Sequence, residues 1–328
     1  SLKEFMATYK EIHGVKVQYR DSDATAVEGD VWYNATTGKL RMYAALGSWA
    51  SGGNLNATAY RNAGAGIQTA GLEWGNYPGA APTGVVSEEY DGSSWTNGNS
   101  LNTGRQGSMG FGIQTAAICV GGGAGDPASP AVDCESYNGT SWSEVNHIPT
   151  ERRAGGAAGT QAAGLCMGGF SPVSSAATTV TTWDGTDWTA APALNSAHGY
   201  SDGFGIQTAA LIVGGETAPG ADVATVEEFD GTSWTEVNDL NTGRASLSGA
   251  GTTTAGLAMG GTEPAVTGKT EEFNGSSWTE TTDMSTSRGE AASFGTGTSA
   301  VMAGGTPPTT NATEEWNVSA SVETITFD

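Results

Sequence analysis

Basic residues are scarce: the 328-residue chain has 13 Lys and Arg against 35 Asp and Glu, a formal net charge of −22. Such a polyanion repels phosphate backbones, so no nucleic-acid partner is expected, and salty surroundings would screen its self-repulsion. Long apolar runs are missing too. No stretch approaches the ~18 apolar residues of a membrane span, so no membrane insertion is expected. The opening SLKEFMATYKEIHG lacks the apolar core of a cleavable signal, and Met6 reads as the natural start, with residues 1–5 as added ones. Cysteine is limited to Cys119, Cys134 and Cys166, an odd set that cannot pair fully. Two of them share one slot in consecutive repeats, where other copies have Ile212, Ala258 and Met302; they read as small core residues of a protein made in a reducing cell.

Catalytic signatures are equally sparse. The chain has no H-E-x-x-H, G-x-S-x-G, P-loop or C-x-x-C. Its histidines, His13, His147 and His198, are scattered and lack metal-ligand neighbours at useful spacing. No catalytic residue, no metal and no cofactor is expected.

What the chain does have is glycine, 50 residues of it, and a repeat. Trp49, Trp95, Trp142, Trp188, Trp234 and Trp278 are spaced by 46, 47, 46, 46 and 44 residues, and five end a turn of the type DGSSW or NGTSW. The Asp-Gly and Asn-Gly pairs provide the positive φ angles of tight hairpins. An aromatic lies five residues before these five Trp, at Tyr90, Tyr137, Trp183, Phe229 and Phe273. Ten residues after them come Arg105, Arg152, His198, Arg244 and Arg288, then a small-residue segment and an apolar run into Gly-Gly, such as AICVGG. In the first copy the Gly-Gly step departs to Glu73-Trp74-Gly75-Asn76. Each copy reads as four short strands that cannot bury both faces alone but can do so by radial stacking.

The order Arg, Gly-Gly, aromatic, Trp resembles the kelch repeat over about residues 45–317. The resemblance implies an all-β fold: a six-bladed kelch-type β-propeller with a small N-terminal β element. Residues 1–44 form that element, 45–317 the propeller closed by the Trp49 strand, and 318–328 a C-terminal strand. Kelch-type oxidases hold copper with Tyr, Cys and His, and no such set can be matched here.

Comparing copies suggests a pairing. Seven residues before the Trp stand Glu88, Glu135, Thr181, Glu227 and Glu271, and the copy that loses the Glu also has His198 for Arg. Inter-blade carboxylate–guanidinium contacts are expected among Glu88, Arg105, Glu135, Arg152, Glu227, Arg244, Glu271 and Arg288, with Glu314 and Arg61 completing the set. The alternative is that these Arg ring a channel mouth and hold an anion.

Function is sought in the loops after Gly-Gly, which diverge between copies and are rich in Pro. In a propeller these b–c loops share a face with the d–a loops, and a rigid ring of unlike loops makes a recognition surface. The candidate ligand-binding residues are Tyr77, Asp126, Phe170, Glu216, Asp222, Lys269 and Thr309. Neutral drift of exposed loops is the plain alternative.

A second resemblance concerns EGDVWYNATTGKLRMY at 28–43, which is similar to G-x-x-W-x-N-x-x-T-G-x-L hairpins of bacteriophage tail fibres. The near-identical copies GFGIQTAA at 110–117 and 203–210 also resemble repeat-rich proteins of marine phages. Together they imply a non-enzymatic virion protein, a tail fibre or tail-tip adhesin assembled in the host cytoplasm. Its partners would be a host-surface glycan or protein, and other virion tail proteins through the N-terminal element. The alternatives are an intracellular kelch scaffold for a protein partner and a kelch-fold sugar-active enzyme, the latter with His198 and Trp74 near the channel mouth.

Overall fold

The computed structural model describes residues 18–23, 29–76, 84–123, 131–171 and 175–325. The chain divides into two compact units, Trp49–Trp316 and the remainder on both sides of it. No helix occurs among the described residues.

The Trp49–Trp316 unit is a six-bladed β-propeller of four-stranded antiparallel sheets, each running from inner strand a to outer strand d. In blade 1 these are Ala63–Ile67, Ala70–Trp74, Ser87–Tyr90 and Trp95–Asn97. Blades 2 to 5 span 109–145, 156–191, 202–237 and 248–280. Blade 6 begins with Ala292–Thr296 and Ser299–Ala303, takes strand c from the start of Thr313–Thr324, and takes strand d from the end of Lys39–Ser51. The Trp49 and Trp316 rings meet there at 5.5 Å, and Gly52 N–H donates to the Thr313 carbonyl at 2.9 Å. Every inner strand touches the inner strands of both neighbours, and the sixth touches the first.

Blade-to-blade packing alternates. Strand a carries Phe111, Phe204 and Phe294 in even blades but Ala65, Ala158 and Ala250 in odd ones. Each Phe lies over a glycine on strand b of the next blade: a Cβ on Gly164 would stand 2.0 Å from the Phe111 ring, and one on Gly71 2.2 Å from Phe294. Between odd and even blades the large residue sits instead on strand b, where Trp74 and Met167 press on Gly110 and Gly203. Interiors packed near crystal density tolerate neither an added methyl nor a missing one without cost, so large faces small at these interfaces.

The a–b turns add a polar clasp. Gln114 Nε2 donates to the carbonyls of Gly71 at 3.0 Å and Tyr90 at 2.8 Å on the preceding blade. Gln68, Gln161 and Gln207 do the same to blades 6, 2 and 3. The repeated Ile-Gln-Thr string therefore serves the backbone of a neighbouring sheet.

In the other unit, Gln18–Arg20 runs parallel to Val31–Asn34, which forms a hairpin with the strand beginning at Lys39. Trp32 and Asn34 are buried and donate to Asp23 Oδ1 at 3.0 and 2.7 Å, while Asn34 Oδ1 accepts the Thr37 N–H of the turn. Those bonds explain the W-x-N-x-x-T spacing of the hairpin. The C-terminal tail belongs to this unit, with Ile325 N–H donating to the Leu40 carbonyl and Arg41 to the Thr324 hydroxyl.

Candidate functional site: the channel mouth and its clamps

The d–a linkers position the site, and each is fastened by a buried clamp. Leaving blade 1, the linker donates Asn102 N–H and Nδ2 to Glu135 Oε2 at 2.8 and 2.9 Å, and Thr103 N–H to Oε1 at 3.1 Å. Arg105 Nη2 completes the set at 2.7 Å, with both charged groups buried. Asn195, Ser196 and His198 hold Glu227 in the same way, Asn241 and Arg244 hold Glu271, and Ser285 and Arg288 hold Glu314. Burial opposes ionisation of Glu227, yet the hydrogen bonds from His198, Asn195 and Ser196 prevail and keep its pKa below the ordinary value.

This geometry corrects the sequence pairing. The partner is offset by one repeat, because a linker folds over the blade it enters: Arg105 meets Glu135, not Glu88. The residue ten positions after Trp49 is Ala59, so among the described residues Glu88 keeps Asn56, whose N–H and Nδ2 lie 2.9 and 2.7 Å from Oε2. Arg61 does not reach Glu314; it pairs with Glu290 at 3.0 Å. His198 retains its carboxylate, and it is Arg152 that faces Thr181 in place of a glutamate.

Blade 1 carries a second exception. Glu73 stands directly across the b–c ladder from Glu88, and both are 2% exposed. Burial raises the Glu73 pKa well above the ordinary value, with Glu88 adding to the rise and an Asn62 hydrogen bond only partly offsetting it. A carboxyl whose folded pKa exceeds its unfolded value stabilises fully below the unfolded pKa and costs stability as pH rises beyond it. Glu73→Gln is therefore expected to stabilise the protein at pH 8, the gain vanishing near pH 4, as read by urea unfolding at both values. An equal effect at both pH values would rule out a titrating Glu73.

Beyond the clamps, one residue per linker adopts a left-handed backbone: Arg61, Gly107, Ala154, Tyr200, Ser246 and Glu290, with φ from 45° to 60°. The strain of five non-glycine residues there, of order 1 kcal/mol each, is offset by what the conformation allows. Gly107 N–H donates to Arg61 O, Arg61 N–H to Glu290 O, Glu290 N–H to Ser246 O, Ser246 N–H to Tyr200 O and Ala154 N–H to Gly107 O, all within 2.9 Å. A collar of five backbone hydrogen bonds thus runs from blade to blade, from Ala154 through Gly107, Arg61, Glu290 and Ser246 to Tyr200. All six collar residues line a cavity of about 110 Å³ at the mouth.

Unlike side chains furnish the cavity. Arg61 bridges Glu290 and Gln106 Oε1 (3.3 Å). Arg153 donates to the Tyr200 hydroxyl at 3.1 Å and lies 5.1 Å over the Phe170 ring, which meets Tyr200 edge-on at 4.9 Å. Deeper in, Asp202 accepts from Gly249 N at 2.7 Å, Gly203 N at 2.8 Å and Ser293 Oγ at 3.1 Å. Burial nevertheless raises its pKa to about 6. The mouth thus offers two guanidinium groups, a carboxyl poised to exchange a proton near neutrality, and an aromatic wall.

Of the residues proposed from the b–c loops, the described ones lie elsewhere. Tyr77 and Asp126 fall outside the described residues. Phe170 is buried behind Arg153 and Tyr200, and buried Glu216 caps its own loop through Gly220 N at 3.0 Å, with half-buried Asp222 bridged to it. Lys269 pairs with Glu263 at 2.7 Å, pinning the hairpin at 262–266, and Thr309 sits half-exposed in a turn. None of these five described residues lines the cavity, and neither do His198 and Trp74, which are clamp and core residues. Sequence reading missed Gln106, Arg153, Tyr200, Asp202 and Glu290; the available signal was that their repeat positions differ between copies that otherwise agree.

No family model matches the chain, and no curated protein matches it either. Among solved structures it is similar to that of YjhT, with a TM-score of 0.66 and 13% identity over 82% of this chain and 99% of the other. At that identity the likeness establishes the propeller fold alone.

Proposed function

We propose that the chain is a non-enzymatic receptor-binding protein of a phage tail fibre or tail tip, a kelch-type propeller whose mouth face holds a host-surface glycan or protein. One observation carries this reading. The elements that hold the ring together repeat from blade to blade, whereas the six collar positions carry Arg, Gly, Ala, Tyr, Ser and Glu. A strained, hydrogen-bonded collar presenting a different side chain at each position is a preorganised binding surface, and preorganisation reduces the entropy lost on association. The N-terminal hairpin, similar to those of tail fibres and stiffened through Asp23, supports a role in attachment to other tail proteins.

A second reading has its own support: a carboxyl with a pKa near 6 inside a polar cavity is suited to general acid–base work on a sugar, which favours Asp202 as the group to test. Binding to a glycan array and to a panel of marine bacterial cells, by the intact chain and by Arg153→Ala and Tyr200→Ala variants, separates the readings. The adhesin reading expects saturable binding weakened at least about tenfold by either substitution, as for truncated hot-spot residues. Folded protein that binds no cell and no glycan would sink it and leave the protein-scaffold alternative. Turnover of an arrayed glycan, abolished by Asp202→Asn, would convert it to the enzyme.

A further inference from the structure

We infer that blade 3 encloses a small-anion site between Arg152 and Thr181, occupied in solution by chloride. In blade 2, Arg105 Nη1 donates to the Asp133 carbonyl at 2.7 Å and Nη2 to Glu135 at 2.7 Å. Arg152 repeats the first bond, Nη1 to the Thr179 carbonyl at 2.8 Å, so its Nη2 is turned toward the repeat position of Glu135, which is Thr181. Arg152 is 0% and Thr181 2% exposed. Arg152 Nε and Nη2 and Thr181 Oγ1 all lack a hydrogen-bond partner. Arg244 Nε and Arg288 Nε are unpartnered too, so what sets blade 3 apart is Arg152 Nη2 and Thr181 Oγ1, two unpartnered polar atoms at the positions where blade 2 joins Arg105 Nη2 to Glu135.

Neutralisation by other means is closed. A guanidinium does not release its proton in a protein. The neighbouring Cys166 thiol is no counter-ion, because burial pushes its pKa upward and the nearby Arg152 charge only partly offsets that. Glu135 and Glu227 are held by their own clamps. Among the described residues no carboxylate forms an ion pair with Arg152. A lone buried charge is strongly destabilising, whereas a buried charge with a counter-ion and hydrogen bonds is tolerated.

The donor set selects the kind of anion. Where Asn102 grips the second carboxylate oxygen of Glu135, blade 3 has Pro149, which has no N–H to give. What is left is Arg152, the Thr181 hydroxyl and the Thr150 N–H at the repeat position of Thr103. That set matches a single spherical acceptor better than a two-oxygen carboxylate.

The experiment is bromide-soaked crystals of the intact chain read at the bromine absorption edge, with urea unfolding in sodium chloride and sodium gluconate at equal ionic strength. An anomalous peak between Arg152 Nη2 and Thr181 Oγ1 is expected. The folding constant should rise with chloride toward a logarithmic slope of about one ion per chain, and stay flat in gluconate. Thr181→Glu rebuilds the ion pair and should erase both signals while raising the unfolding midpoint; Arg152→Met should also erase the chloride dependence. No peak at this position in the unaltered protein, or a chloride slope that survives in both variants, would overturn the site.

Discussion

Arg244→Ala is expected to lower the unfolding free energy by about 3–5 kcal/mol, measured by urea denaturation, because it strands a buried carboxylate. Arg244 Nη1 lies 2.5 Å from Glu271 Oε1, Nη2 donates to the Ala258 carbonyl at 3.2 Å, and both residues are at most 1% exposed. The size of the effect comes from the partner left behind. Replacing both residues by Met is accordingly expected to restore most of the loss, since apolar groups of similar volume remove two desolvation penalties together. A single-variant loss below about 1 kcal/mol would mean that water enters the clamp and that its buried geometry is wrong.

Trp316→Ala should cost a similar amount, about 3–5 kcal/mol, the usual range for emptying an aromatic site in a core. Its ring is fully buried against Trp49, and its Nε1 donates to the Gly297 carbonyl at 3.2 Å. Trp183 has the same role in blade 3, with Trp188 at 5.1 Å and Nε1 donating to the Gln161 carbonyl. The two variants should nonetheless differ in where they loosen the protein. Trp183→Ala is expected to leave blade 6 protected in amide exchange, whereas Trp316→Ala should speed exchange at Trp49–Ser51, because that outer strand comes from the far end of the propeller segment. Equal protection of those residues in both variants would show that closure does not depend on the Trp pair.

The repeat was legible because its chemistry is local. In Asp91-Gly92-Ser93-Ser94 the Asp91 carboxylate accepts the Ser93 hydroxyl and the Ser93 and Ser94 N–H groups, each at 2.8 Å, bonds that lower its pKa to about 2, and each copy of the turn announces itself within five residues. Glu and Arg could be recognised as partners by type, but not in register, since spacing along the chain does not say over which sheet a linker folds. Arg61 shows the limit: two residues separate it from the clamp position, and they move it to the collar. The mouth was hardest to see. Its residues share a backbone conformation and nothing else, so comparing copies for likeness passes over them, whereas Glu216 and Lys269, chosen from divergent loops, bond within their own loops. Glu73 was visible as a departure from the Gly-Gly pattern, but its cost appears only when the ladder sets it opposite Glu88.

Blades of this ring have a parity. Phe111 can lie over Gly164 because odd blades leave that strand without a methyl, whereas the next even blade offers Ala210 at the same position. Duplicating or deleting one repeat would create a seam where a phenyl ring meets a Cβ, or where two small strands face each other across a gap. A ring of this design therefore changes length without such a seam only in steps of two, and its packing unit is a blade pair. The ring then packs with a period of two blades, a period that GFGIQTAA, recurring two repeats apart, already carries in the sequence.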